Sequence, residues 1–555
     1  MNQQTDNVQP TPTQHISLQI VLASLVIWVV ASLLLLASLW PKMGTTLHWD
    51  EVDYVQATRQ GFMANATDSS AFSAIDFLRF VSAKFKRSPS PDFPNYNEID
   101  DVFVLRHTHP PLLQYVLAML GPSRLNPGHE IAIRLIQFSG ASLLIAALIW
   151  GYLKISDNHS LAGLAGVAVV GVLCGFFMGR DLNCHLWIAV SLPFTCISVG
   201  QFMAQSTRKR GIVAGGAIGL NFLGLQTGVF VAFWAVVAVG IAILLPPSAT
   251  DVNGRKLNFR QMLRAWVVSS LWMFIGFLAF VLVTYPGAFL RLSLIRIFAT
   301  YAFLIMKSNE YAGVSSRYSS YLNSVFPLLL LGVIGLIGVI FRKRSERWYL
   351  TLATVVIGFG YGLVLLKFLL NIIYITPALA LLGMLGMATV SSWKNLGLEI
   401  AIAIGLILFT FFTISNWPES SIQNTNQAYN QLAETIGSRQ ALIEGGHIIN
   451  YYCPLLASRV LPVSFAFNQK TLYWRDPNKL QYKPITPDQL AGSIVVLRIF
   501  NILPEYEWEK QLPAGVRKIQ IPGLGGAIYE FPPASSDHPK VEPAIPATSP
   551  SPTEF

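Results

Sequence analysis

The segment His48-Trp49-Asp50-Glu51-Val52-Asp53-Tyr54 places three carboxylates shortly after the first long apolar run of the chain. That run covers about residues 16–40, and a helix needs roughly twenty apolar residues to cross a bilayer. An Asp at the centre of a span costs about 2.5 to 3.5 kcal/mol. The acidic segment is therefore expected outside the hydrocarbon, where the membrane meets water.

The composition is that of a multi-pass membrane protein. Of 555 residues, 53% are hydrophobic and only 12% are charged, against roughly 25% charged in soluble domains. We predict an α-helical bundle over residues 16–415, with about eleven spans. The spans are expected near residues 16–40, 131–154, 161–178, 183–204, 211–227, 229–246, 265–286, 323–341, 348–367, 371–391 and 396–415.

The fifth and sixth of these runs share one apolar stretch that is interrupted at Gln226-Thr227-Gly228. A single long tilted helix is the alternative to two helices, and it would reverse the orientation of every later span. The distribution of positive charge favours two helices, because the basic segments then share one side, which is cytoplasmic by the positive-inside rule. These segments contain Arg208, Lys209, Arg210, Arg255, Lys256, Arg260, Arg264, Arg342, Lys343, Arg344, Arg347 and Lys394.

The formal charge of +10 does not indicate a nucleic-acid partner, because the basic residues cluster between apolar runs and act as topology signals. Residues 1–15 are polar and are expected to be disordered and cytoplasmic. No small-residue cleavage pattern follows the first run, so we interpret it as a retained anchor in the cell membrane.

A long outer loop is predicted over residues 41–130. Its segment Pro111–Gly121 is too short to span and is expected to be an interfacial or re-entrant helix, and Asp76–Val81 is expected to lie on the membrane surface. If Pro111–Gly121 crossed the membrane, Asp181 would lie on the side opposite to the acidic segment. The charge pattern favours the other option, in which this segment does not cross and the acidic and histidine candidates share the extracytoplasmic face. These are Asp50, Glu51, His107, His109 and Asp181.

The sequence becomes hydrophilic after Asn416, and we predict a small extracytoplasmic α/β domain over residues 416–531. A helix is expected from about Thr425 to Ile443, with strands over residues 447–452, 493–497 and 527–531. Residues 532–555 are rich in Pro and Ser and are expected to be disordered. Cys453 stands alone in this region, so no disulfide is expected within it.

Two acidic positions are candidates for chemistry. Asp50 could act as a general base near the lipid headgroups, with Trp49 and Tyr54 as an apolar wall, or it could be part of a solvated helix end. Asp181 lies in a very short turn beside Arg180; it could support that base, or it could cap a helix with a local ion pair.

Arg106-His107-Thr108-His109 precedes Pro110-Pro111, which fix where the next helix begins. Alternating histidines occur in metal sites, but the chain has no H-E-x-x-H pattern. Hydrogen bonds from Arg106, His107 and His109 to an anionic headgroup are therefore the favoured interpretation. The residues neither require nor exclude a divalent metal ion, and no cofactor is indicated.

The order of these motifs resembles that of GT-C-type glycosyltransferases, in the branch of protein O-mannosyltransferases and lipid A aminoarabinose transferases. The resemblance covers the acidic pair after the first span, the outer loop ending in His-Pro-Pro-Leu, the segment Gly128–Arg134, and the Arg-Asp turn at residues 180–181. It extends over about the first two hundred residues, and the remainder is similar only in layout.

The resemblance implies a sugar donor linked to polyprenyl phosphate and a lipid, glycan or protein acceptor. Asp50 would deprotonate the acceptor with Glu51 beside it, and Asp181 would lie near the acceptor. Asp53 has no assigned role. A phosphate leaving group needs fixed cations, for which the candidates are Arg291, Arg296, Lys307, Arg317 and Lys367. Lys367 could equally extend from the end of a span towards water.

Two other classes of function are compatible with a multi-pass membrane protein. A transporter or flippase usually carries ionisable or broken-helix sites near the midplane and internal repeats. Here the spans are nearly free of acidic residues, Glu399 being the main exception. A non-catalytic membrane scaffold is the third alternative, and the hypothesis favoured by the motifs is an inverting glycosyltransferase.

Overall fold

The computed structural model describes the helices of the chain and most of its C-terminal sheet. The described residues are 17–47, 49–60, 82, 110–225, 227–244, 258–286, 315–343, 345–365, 372–417, 426–444, 451–453, 456, 459–464, 470–476, 481–497, 506–522 and 527–533. The chain divides into two compact units, Met1–Gln423 and Asn424–Phe555.

The first unit is helical throughout its described residues. Its helices are α1 (Leu18–Met43), α2 (Trp49–Gln60), α3 (Leu112–Ala118), α4 (Glu130–Ile155), α5 (Leu161–Gly179), α6 (His185–Ala204), α7 (Arg208–Gly224), α8 (Gly228–Leu244), α9 (Phe259–Thr284), α10 (Ser315–Phe341), α11 (Glu346–Leu365), α12 (Ile372–Ser392) and α13 (Leu396–Ser415). A short 3-10 helix covers Pro122–Leu125.

Each of the eleven apolar runs coincides with one of these helices, so the prediction of a helical multi-pass protein is confirmed. Nine of the described helices are long and apolar enough to cross a membrane, and α8 is a shorter apolar helix of 17 residues. The interruption at residues 226–228 separates α7 from α8, as the two-helix interpretation requires. The surface segment Asp76–Val81 lies outside the described residues.

Small residues let α7 and α9 approach closely. A Cβ atom at Gly215 would collide with the carbonyl oxygen of Met273, and one at Gly276 would collide with the carbonyl oxygen of Ile212. Both glycines are therefore required by the contact between the two backbones. α3 lies beside the C-terminal end of α9, since Tyr115 Oη donates to the carbonyl oxygen of Thr284 at 2.6 Å.

The bundle has two ends, separated along α4 by about 30 Å at 1.5 Å per residue. The Asp181 end comprises the C-terminal end of α1, the start of α4 and the turn between α5 and α6. The Asp157 end comprises the end of α4, the start of α11 and the end of α12. There Arg342 donates to the Asp157 carboxylate, to Ser392 Oγ (3.0 Å) and to the carbonyl oxygen of Ile155 (2.9 Å).

The Asp157 network predicts an acid-sensitive stability. Burial alone would raise the pKa of Asp157, but hydrogen bonds from Arg347 and Arg342 and their charges outweigh burial and lower the pKa. This stabilisation is present above the ordinary carboxylate pKa of about 3.9 and is lost as the pH falls through the lower pKa of the folded state. We expect Asp157→Asn to cost about 1 kcal/mol at pH 7, since the carboxylate is more than a third exposed.

Thermal unfolding in detergent, measured by scanning fluorimetry, checks this expectation. The difference in Tm between the wild type and Asp157→Asn should shrink between pH 7 and the lowest pH at which the protein stays dispersed. Glu346→Gln removes an exposed carboxylate next to Arg347 and serves as the control. A difference that stays constant with pH would contradict the assignment.

The second unit contains a mixed sheet of seven strands in the order β4-β3-β2-β1-β5-β7-β6. Its elements are the helix α14 (Asn426–Ile436) and the strands β1 (Ala441–Glu444), β2 (Val460–Ser464), β3 (Tyr473–Asp476), β4 (Gln481–Pro484), β5 (Ile494–Leu497), β6 (Arg517–Ile519) and β7 (Ala527–Glu530). β1 pairs in parallel with β2 and β5. A core that includes Leu442, Val495 and Tyr529 is buried against this sheet.

Two local predictions in this unit are wrong. The helix expected to reach Ile443 ends at Ile436, because Gly437 adopts a φ of 55° and terminates it. The following apolar residues 441–443 form the buried strand β1 instead. The strand expected over residues 447–452 is not observed where it is described: Tyr451 and Tyr452 lie in a helical turn, and residues 447–450 lie outside the described residues.

Candidate functional site

A buried ion pair joins α2 to α4 at the Asp181 end. Glu51 is 0% exposed and Arg134 is 1% exposed. Arg134 Nε donates to Glu51 Oε1 at 3.1 Å, and Arg134 Nη2 donates to Glu51 Oε2 at 2.9 Å. This two-point geometry is the strong form of an ion pair, and it offsets part of the cost of removing both charges from water.

Arg134 also holds the end of α1 and the link that follows it. Its Nη1 donates to the carbonyl oxygen of Lys42, to that of Thr45 (2.6 Å) and to Thr45 Oγ1 (2.7 Å). Its Nη2 donates to the carbonyl oxygen of Thr46 at 2.8 Å. Carbonyls at a helix end have no partner within the helix, so this one guanidinium fixes how the chain leaves α1 and enters α2.

The turn between α5 and α6 packs against the same pair. The backbone N–H of Leu182 donates to Glu51 Oε1 at 2.9 Å. Asn183 Nδ2 donates to the carbonyl oxygens of Met178 and Asp181, both at 2.7 Å. Gln137 Nε2 donates to the carbonyl oxygens of Met178 (2.9 Å) and Asn183 (3.3 Å). The main chain that carries Asp181 is therefore held by buried side chains of α2 and α4.

The Asp181 side chain pairs with Lys42. Lys42 Nζ donates to Asp181 Oδ1, and the two side chains are 15% and 34% exposed, respectively. The pair thus joins the last turn of α1 to the α5–α6 turn. It lies beside the buried Glu51–Arg134 pair but remains open to solvent.

Arg180 is held by aromatic rings. Its guanidinium carbon lies 5.3 Å from the centroid of the Phe176 ring and 5.9 Å from that of Trp417. Phe177 packs on Trp417 with ring centroids 4.9 Å apart. Contacts of this kind fix the direction of an Arg side chain, so a positive charge stands at a defined place next to Asp181.

The structure brings together two of the three predicted acidic residues, Glu51 and Asp181. Asp50 directly precedes Glu51 in the first turn of α2, but its side chain is outside the described set. Arg317 lies in α10, again without a described side chain. The remaining predicted cations lie outside the described residues: Arg106, His107, His109, Arg291, Arg296, Lys307 and Lys367. Among the described residues, no three His, Cys, Asp or Glu side chains form a group that could hold a metal ion.

Lys42 and Arg134 are not among the site residues predicted from the sequence. For Arg134 a signal was present, because a charged residue near the start of an apolar span requires a buried partner. The identity of that partner, Glu51, depends on how α2 returns against α4. For Lys42, the sequence showed only that a cation stands at the end of a span.

No protein-family model matches this chain. No curated protein matches it either. The chain is similar to a solved structure, the crystal structure of ArnT from Cupriavidus metallidurans bound to undecaprenyl phosphate. The two chains are 13% identical, with a TM-score of 0.44, and the match covers 94% of this chain and 99% of that chain. A likeness at this identity and TM-score does not assign a function to this chain.

Proposed function

We propose that this protein is a membrane glycosyltransferase that moves a sugar from a polyprenyl-phosphate donor to a lipid, glycan or protein acceptor. One observation carries the proposal: the Glu51–Arg134 pair holds the first turn of α2 against the α5–α6 turn. Two acidic segments 130 residues apart along the chain thereby meet at one end of the bundle. The motif order described above gives this arrangement its chemical interpretation.

In the proposed reaction Asp50 takes a proton from the acceptor hydroxyl or amine. The acceptor atom forms a bond to the anomeric carbon while the bond from that carbon to the phosphate oxygen breaks. The electron pair leaves with the polyprenyl phosphate, and the single displacement inverts the anomeric centre. Cations near the phosphate stabilise the charge that develops on it.

Glu51 and Asp181 have different parts in this proposal. Both oxygens of the fully buried Glu51 accept from Arg134, so it serves as a positioning residue rather than a second base. Asp181 is part-exposed and is proposed to accept a hydrogen bond from the acceptor. The predicted donor-phosphate residues keep their proposed roles: Arg106, His107, His109, Arg291, Arg296, Arg317 and Lys367.

The proposed topology puts the Asp181 end on the extracytoplasmic face and the N-terminus in the cytoplasm. Basic side chains support it, because several gather at the Asp157 end. There Arg342 and Arg347 hold Asp157, and Arg210 donates to the carbonyl oxygen of Gln201 near the end of α6, at 3.1 Å. Positive charge marks the cytoplasmic side of spans. The second unit is then extracytoplasmic, where it could select the acceptor.

Comparing the glycolipids and glycoproteins of a deletion strain with those of its parent tests this function. We expect at least one envelope glycan to lose a single sugar, and re-expression of the wild-type chain to restore it. The purified protein should release polyprenyl phosphate only when donor and acceptor are both present. Movement of intact lipid-linked sugar across vesicles, without cleavage of the sugar–phosphate bond, would indicate a flippase instead.

A further inference from the structure

The Lys42–Asp181 pair is the part-exposed portion of the described site. Both of its side chains are part-exposed, whereas the adjoining Glu51 and Arg134 are sealed from solvent. On its lipid side, α1 exposes a run of large apolar side chains that includes Leu33, Leu34 and Trp40. Lys42 lies in the last turn of α1, at the end of this span, which is the level at which the phosphate group of a lipid in the bilayer lies.

The main chain on both sides of the pair is fixed. The carbonyl oxygen of Lys42 accepts from Arg134 Nη1 and from Thr45 Oγ1, the latter at 2.9 Å. The turn at Asp181 is held through Leu182 and Asn183. The Lys42 ammonium, in contrast, stands on a flexible four-carbon stem. Its side chain can therefore change partner without breaking these buried hydrogen bonds.

We infer that Lys42 is a donor-binding residue that exchanges partners: it pairs with Asp181 until the polyprenyl-phosphate donor arrives, and then transfers its hydrogen bond to the donor phosphate. This inference rests on the proposed function. A phosphate oxygen is a strong acceptor for an ammonium group. The exchange removes the Lys42 ammonium from Asp181 Oδ1, which leaves that carboxylate a stronger acceptor for the hydroxyl or amine of the acceptor substrate.

The inference predicts opposite effects for the two members of the pair. Lys42→Gln removes the cation and should weaken binding of a polyprenyl monophosphate about tenfold. Asp181→Asn removes the competing anion and should tighten binding about threefold or more. A purely structural ion pair predicts the same direction for both variants, because each leaves the other charge without its partner.

The probe is a polyprenyl monophosphate titrated into the full-length protein in detergent, with affinity measured by calorimetry. Lys154→Gln is the matched control, since Lys154 also lies in the last turn of a spanning helix but at the Asp157 end; its affinity should equal that of the wild type. The double variant Lys42→Gln/Asp181→Asn should bind as weakly as Lys42→Gln. Inorganic phosphate, titrated separately, should bind far more weakly than the lipid.

Each other outcome has a defined meaning. Suppose that the wild type binds the lipid, but that both variants weaken this binding or that neither variant changes it. The exchange of partners by Lys42 is then overturned, while the proposed function stands. If the wild type binds no polyprenyl monophosphate, the proposed donor class and the exchange both fail. Equal affinity for inorganic phosphate would overturn the assignment to a lipid donor. Should Lys42→Gln not fold, Lys42→Met replaces it, because Met keeps the apolar stem without the charge, and the same weakening of binding is expected.

Discussion

Asp50→Asn is expected to reduce the rate of sugar transfer by about 10² to 10⁴-fold while leaving the protein folded. The amide keeps the size of the side chain but cannot take the acceptor proton. Asp50 precedes Glu51 in the first turn of α2, and the Glu51–Arg134 pair that fixes this turn is unchanged in the variant. The measurement is the release of polyprenyl phosphate from a saturating donor, with the Tm of each preparation recorded beside it.

Asp53→Asn supplies the matched control for this prediction. Asp53 lies three residues further along α2 and has no assigned role, so its variant loses the same charge from the same helix. It should retain most of the activity. Equal loss in both variants would show that net negative charge on α2, rather than a base at position 50, is what the reaction needs. Full activity of Asp50→Asn would remove the proposed general base.

Some of this fold could be predicted from the sequence, because the decisive signals were local and strong. Apolarity summed over about twenty residues locates a span to within a few positions. The separation of α7 from α8 was similarly visible at Gln226-Thr227-Gly228, and a Cβ atom at Gly228 would collide with the backbone of Asn221. Gly437, after which α14 ends, was also a local signal in the sequence. The predicted helix was nevertheless wrongly extended through the apolar residues that follow this glycine.

The pairing within the site was harder to predict, since it depends on tertiary structure. Glu51 and Arg134 are 83 positions apart and Lys42 and Asp181 are 139 apart. A sequence shows that a charge near the start of an apolar run needs a partner, but not which of several carboxylates provides it. Adjacent acids such as Asp50 and Glu51 look equivalent in sequence. The sequence does not show that Glu51 is fully buried, or that Arg134 donates to both of its carboxylate oxygens.

Arg134→Met is expected to be the most destabilising of these substitutions, at about 3 to 5 kcal/mol. It leaves the Glu51 carboxylate buried without the guanidinium that offsets its charge. It also removes the donor from the carbonyl oxygens of Lys42, Thr45 and Thr46. Stability can be followed as the loss of helical signal during SDS titration, and sugar transfer should fall together with the folded fraction.

The double variant Glu51→Leu/Arg134→Met separates the charge of the pair from its positioning role. Replacing both partners of a buried ion pair with apolar residues is often close to neutral, so the double variant should be more stable than Arg134→Met alone. The recovery should be partial, because the carbonyls of Thr45 and Thr46 still lack their donor. Activity should nevertheless stay low, since the two hydrogen bonds from Arg134 that fix the turn carrying Asp50 are then missing. Recovery of sugar transfer together with stability would show that the pair is a folding element only. With Glu51→Leu measured as well, additive destabilisation would contradict a direct interaction between the two charges.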